Sequence, residues 1–136
     1  MRRATLALAL ALAVVGTPVG CKSGSKEPAA RGATAKNANP YPDTATLKRA
    51  MDDKRVIVVD VRTDGEWQRG HIPGARHLPL SQLRKRAQEL PKDKDLVLYC
   101  AVGSRSGRAL KILQRLGYPR VFNFGGLSDW KGKIAK

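Results

Sequence analysis

The chain is short of acid. Its 136 residues hold 11 Asp and Glu against 26 Lys and Arg, a formal net charge of +15. It is also poor in aromatics (5%), with two histidines and two cysteines. Each shortage excludes something. The basic residues are spread from Lys22 to Lys136 without a long run and with few aromatic rings to stack on bases, which argues against a nucleic-acid partner. A field of this sign attracts small anions or an anionic membrane surface instead. His71 and His77 have no companion ligands at metal-binding spacing, so no zinc or other metal site is expected. The apolar run from Ala4 to Gly16 is too short to span a bilayer comfortably.

That run has another reading. Arg2 and Arg3 form a positive start, the Ala- and Leu-rich stretch follows, and Cys21 ends it, as in an export signal. Thr17-Pro18-Val19-Gly20-Cys21 resembles a bacterial lipoprotein signal, in which the cysteine becomes the lipidated first residue; Pro18 departs from that pattern. Residues 1–21 are therefore expected to be a signal peptide with lipidation at Cys21. Residues 22–42, rich in Lys, Ala, Gly and Ser without apolar period, read as a flexible tether. Residues 43–136 remain for one small domain. The expected location is the cell envelope, anchored to the membrane and facing the periplasm or the outer surface. A disulfide between Cys21 and Cys100 would tie a tether to a reactive loop, so Cys100 is expected to be free.

Within the domain, Asp43 or Thr44 can cap a helix through Asp52. Arg55 to Val61 and Asp95 to Tyr99 are apolar on both faces, as buried parallel strands are. Thr63 to Arg69 suits a short helical turn, and Gly70 to Ala75 a turn leading into a short strand at Arg76-His77-Leu78. Ser81 is placed to cap a helix through Glu89. Arg105 to Leu116 reads as a helix with Ala109, Ile112, Leu113 and Leu116 inward and Gly117 closing it. Arg120 to Asn123 forms a last short strand, and the segment after Trp130 is short enough to be poorly ordered. Strands alternating with helices predict an α/β domain, a small three-layer fold with a mostly parallel central sheet. Ligands bind such sheets at the carboxyl ends of the strands, where Cys100 lies.

Cys100 is followed by Ala101-Val102-Gly103-Ser104-Arg105-Ser106-Gly107 and then by the amphipathic helix. A free cysteine ionises near ~8.5, and placement at a helix N-terminus lowers that to roughly 3.5–7.5. Gly103 and Gly107 let the backbone curl close to the sulfur. Ser104 and Ser106 add hydroxyls, and Arg105 and Arg108 add charge. Together they suggest a nucleophile inside an anion-binding nest. The alternative is a buried structural cysteine at a strand end.

Four separated segments then carry a resemblance. They are Asp60-Val61-Arg62, the stretch from Glu66 to Ala75 containing Gly70-His71-Ile72-Pro73-Gly74, the loop from Cys100 to Ser106, and Gly125-Gly126 followed by Trp130. In this order they resemble the single-domain rhodaneses, a family of rhodanese-like sulfurtransferases. The resemblance implies transfer of sulfane sulfur through a persulfide on Cys100. The loop residues Ala101 to Ser106 would hold the sulfur, with no metal or organic cofactor. A small anionic donor such as thiosulfate and a thiol or cyanide acceptor are the implied partners. Asp60 and Arg62 are expected as scaffold, and Glu66 as either a partner for a loop arginine or a solvated surface carboxylate. His71 is expected to be structural, Trp67 and Trp130 to pack in the core or at its rim, and Arg84-Lys85-Arg86 to be the wet face of a helix. A cysteine phosphatase or arsenate-reductase-like enzyme is the rival chemistry. Phosphatases of the cysteine type place five residues between Cys and Arg, whereas four separate Cys100 from Arg105. A non-catalytic binding module on the same fold is the second rival; such modules often lack the nucleophile.

Overall fold

Strand β1 (Val56–Asp60) and strand β3 (Asp95–Cys100) are the apolar runs, and they pair in parallel at the centre of the sheet, Val58 opposite Val97. A computed structural model describes residues 38–136, so the expected leader, Cys21 and the tether up to residue 37 lie outside the described residues. The short β2 (Arg76–His77) flanks β1, and β4 (Val121–Gly126) flanks β3, giving an all-parallel order β2-β1-β3-β4. The fold class is the expected one, with a helical layer on each face.

Alternation along the strands builds two cores. Val56, Val58, Val97 and Tyr99 meet Leu47 and Ala50 of helix α1 (Thr44–Asp52) on one face. Val59, Leu96, Leu98 and Cys100 face Leu83 of α3 (Leu83–Arg86) and Ala109 and Leu113 of α4 (Ser104–Arg115) on the other. Both faces of the sheet are thus removed from water, the condition a parallel sheet needs. Asp43 is the residue that caps α1, its carboxylate accepting from the Thr46 amide at 2.8 Å. The turn α2 (Asp64–Arg69) lies between β1 and β2.

Several expectations are corrected. Ser81 caps nothing: it is exposed in a turn, and the helix starts at Leu83 after Gln82. That helix is one turn long and tightens into a 3-10 turn at Ala87–Glu89. Pro91 forces Leu90 into an extended conformation, and the Tyr118 hydroxyl takes the carbonyls of Ala87 and Leu90. Leu116 is 40% exposed rather than inward. Gly117, at φ +81, reverses the chain one residue beyond the cap, with Tyr118 N–H donating to Leu113 O and Gly117 N–H to Gln114 O. Tyr118 then fills the buried place. The segment after Trp130 is ordered without a helix. Ala135 and His71 exchange both backbone hydrogen bonds at 2.9 Å, and the Trp130 indole donates to Lys133 O.

Two irregularities shape the sheet's carboxyl end. A bulge sets Leu98 opposite Asn123 but Tyr99 opposite Gly125 and Cys100 opposite Gly126, leaving Phe124 as the extra residue. At the end of β1, fully buried Asp60 holds Arg62 through its backbone amide (2.8 Å) and its guanidinium (2.6–3.0 Å). Arg62 in turn donates to Gly70 O at 2.6 Å, and the Tyr99 hydroxyl accepts from Ile72 N–H. This network pins the Gly70-His71-Ile72 turn to the sheet. Replacing Asp60 with Ala strands a buried guanidinium, which costs about 3–5 kcal/mol. Urea unfolding of Asp60→Ala should show a loss of that order, and a loss below ~1 kcal/mol would show that the pair is dispensable.

Candidate active site

Cys100 closes β3 with its side chain fully buried on the α3/α4 side. The chain then has three residues in which to turn before α4 begins at Ser104. Gly103 makes the turn at φ +89, a conformation that L side chains rarely adopt. The turn aims the Gly103 amide at the sulfur, at 3.0 Å. The Ser106 hydroxyl lies 3.7 Å from it. Burial pushes the thiol pKa up. The Ser106 amide and hydroxyl and the amides of Val102 and Arg105 oppose this and bring it below the ordinary cysteine value. Amide and hydroxyl donors thus converge on the sulfur, and Cys100 forms no disulfide among the described residues.

The expected cations and scaffold residues divide. Arg105 does not offer a free charge to an anion. Its fork grips Glu66 in a bidentate pair, 2.6 and 2.7 Å, across 39 residues of sequence. Glu66 also accepts from the amide and hydroxyl of Thr63 at 3.1 and 2.8 Å. Arg105 first, then Thr63, hold the Glu66 carboxyl well below the usual carboxylate range. Of the two readings of Glu66, pairing with a loop arginine is the one found. It fastens α2 to the start of α4. Asp60 and Arg62 are scaffold, but for the Gly70 turn on the opposite face of the sheet, with no hydrogen bond to Cys100. Ala101 is half-buried, Ser104 is exposed, and Val102 is 78% exposed. His71 is structural: its ring stacks on Trp67 at 3.5 Å and its Nδ1 meets Trp67 O. His77 stacks on the same indole at 4.9 Å. Trp67 is a rim residue and Trp130 a core one.

Asn123 is the residue that sequence reading missed. Its amide oxygen accepts from Ser106 Oγ at 2.7 Å and from Gly125 N–H at 3.0 Å, and its amide nitrogen reaches Gly103 O at 3.4 Å. It ties both glycine-rich segments to the one hydroxyl beside the sulfur. The only signal was a polar residue interrupting Val121-Phe122-Asn123-Phe124. Gly126 is required for a different reason: a Cβ there would lie 2.6 Å from Ala101 O.

The site therefore offers a buried sulfur of lowered pKa surrounded by amide donors, with its nearest guanidinium already paired. Such a site suits negative charge developing on sulfur. Comparison with known proteins decides the family. The model of the Rhodanese-like domain matches residues 43–133. The chain belongs to the rhodanese-like family. This rhodanese-like chain is 43% identical over 84 residues to a sulfurtransferase of Allochromatium vinosum, covering 61% of this chain and 78% of that one. It is 41% identical over 73 residues to the thiosulfate sulfurtransferase PspE of Escherichia coli, covering 52% and 70%. It is 44% identical over 82 residues to the uncharacterized YqhL of Bacillus subtilis, covering 60% of this chain and 65% of that relative's length. Among solved structures, a rhodanese with anions from E. coli superposes with a TM-score of 0.56 at 35% identity, covering 60% of this chain and 98% of that one. Sulfur transfer is the activity supported at the level of this rhodanese-like family.

The Ser106 hydroxyl shares its one hydrogen between Asn123 Oδ1 at 2.7 Å and the sulfur at 3.7 Å, and through the second contact it is expected to help hold the thiolate. In Ser106→Ala, the midpoint of iodoacetamide alkylation against pH should rise towards the ~8.5 of a free cysteine, with the rate at neutral pH falling accordingly. An unchanged midpoint would leave the amides as the only donors that matter.

Proposed function

We propose that this chain moves sulfane sulfur from a small anionic donor such as thiosulfate to a thiol or cyanide acceptor through a persulfide on Cys100. The Cys100 thiolate attacks the outer sulfur of thiosulfate. The S–S bond of the donor breaks and sulfite leaves with its electron pair. The persulfide's terminal sulfur carries the negative charge, and the loop amides meet it. An acceptor nucleophile then takes that sulfur, and the thiolate of Cys100 returns. The observation that carries this reading is the Cys100 sulfur beneath the Gly103 amide, its pKa held below the ordinary cysteine value. A loop of four residues between Cys100 and Arg105 forms a smaller cradle than a phosphoryl group needs. No general base is invoked, because the loop donors lower the pKa of the sulfur.

The donor is bound by backbone dipoles more than by Arg105, whose fork is occupied by Glu66. Arg105 acts as a wall that sets the loop's shape. Thiosulfate as donor is supported by the name of the PspE relative and by the fit between a small divalent anion and an amide nest. Incubated with thiosulfate, the protein should gain the mass of one sulfur atom, and Cys100→Ser should gain none. Hydrolysis of an aryl phosphate without sulfur gain would point to phosphatase chemistry instead, and neither reaction to a binding module.

The same proposal includes an envelope location, carried by the apolar leader and Cys21. If Cys21 bears lipid, the expressed protein should fractionate with membranes and Cys21→Ser should move it to the soluble fraction. A membrane-bound Cys21→Ser protein would remove the anchor from the account.

A further inference from the structure

We propose that the exposed face of α3 and α4 is a docking surface for an acidic protein thiol, the acceptor that collects sulfur from Cys100. This rests on the reading of Cys100 as a sulfur carrier. The two helices lie side by side on one face of the sheet, since Leu83, Ala109 and Leu113 share one core cluster. Burying Ser106, Ala109 and Leu113 turns Ser104, Arg108, Lys111 and Arg115 outward in a single stripe. Helix α4 contains no acidic residue. Arg84 and Lys85 are exposed on α3 beside it. Of the cations on these helices, Arg86 pairs with Glu89 and Arg105 with Glu66. Arg84, Lys85, Arg108, Lys111 and Arg115 pair with no carboxylate among the described residues. Lys92 adds a further charge at the far end, its amine 3.5 Å from Leu116 O.

These charges are too far away to serve a small donor. At 1.5 Å per residue, Lys111 and Arg115 stand roughly 10 and 16 Å along the helix from Ser104. The Debye length at physiological salt is about 8 Å. A divalent anion at Cys100 would scarcely feel them, whereas a macromolecule lying along α4 would meet them all. The stripe starts at the catalytic loop, where Val102 stands 78% exposed. A partner seated there touches an apolar knob beside the sulfur and a row of cations leading away from it. An anionic bilayer would satisfy the charges but brings no nucleophile to the loop. The partner's own thiolate attacks the outer sulfur of the Cys100 persulfide. The bond to Cys100 Sγ breaks, its electron pair stays on Cys100, and the partner leaves as the persulfide.

The full chain, loaded with thiosulfate, can be tested against two synthetic peptides with one cysteine each, one flanked by Glu and the other by Lys, and against cyanide. The Glu-rich peptide should accept sulfur at least about tenfold faster than the Lys-rich one, in the range that electrostatic steering supplies. The ratio should collapse at ~1 M salt, where screening shortens to about 3 Å. It should also collapse in the double variant Lys111→Glu with Arg115→Glu, with transfer to cyanide unchanged. Equal peptide rates with normal cyanide transfer would overturn this surface alone. So would an unchanged ratio in the variant, including a variant that instead loses binding to phosphatidylglycerol vesicles. Failure of the wild type to pass sulfur even to cyanide would overturn the carrier reading and this proposal with it.

Discussion

The hydrogen bond from the Gly103 amide to the Cys100 sulfur exists because the chain turns through a left-handed residue between β3 and α4. A strand's last side chain points off one face of the sheet, and a helix's first amides point backwards along its axis. Only a tight, left-handed reversal brings the two face to face. The remainder of the site holds that reversal in place. Gly126 runs so close to the loop that only a hydrogen fits opposite Ala101 O, and the bulge in β4 sets Gly126 beside Cys100.

Two clamps fix the start of α4 from opposite directions. Glu66 reaches over from α2 to Arg105, and Asn123 reaches across from β4 to Ser106. One clamp is ionic and half-exposed, the other neutral and close to the sulfur. This division is sensible electrostatically. A strong unpaired cation beside the sulfur would hold any bound anion tightly and slow its exchange. Amides and a hydroxyl stabilise charge on sulfur without bringing a cation of their own.

Much of this could be read in the order of residues. The both-faces-apolar runs at 55–61 and 95–99 located the central strands, and a cysteine between an apolar strand and a Gly-Ser loop located the centre of the candidate site. What escaped has a common cause. Asn123 acquires its role from a register shift between strands, and the choice between the two readings of Glu66 is made only when the chain folds over 39 residues to meet Arg105. Neither leaves a local pattern. Ser81 had the right chemistry for a helix cap, but Pro79 and Pro91 bracket a segment too short to need one. Leu116 kept the inward period to the end of α4, yet the reversal at Gly117 gave its place to Tyr118. Periodicity describes a regular element well and says little about its last residue, where the chain's next direction decides.

The pairing of Ala135 with His71 bears on how the protein is handled. Ala135 is the penultimate residue, and its partner belongs to the turn whose Gly70 carbonyl receives Arg62. An affinity handle or fluorescent fusion attached directly after Lys136 would pull on that turn.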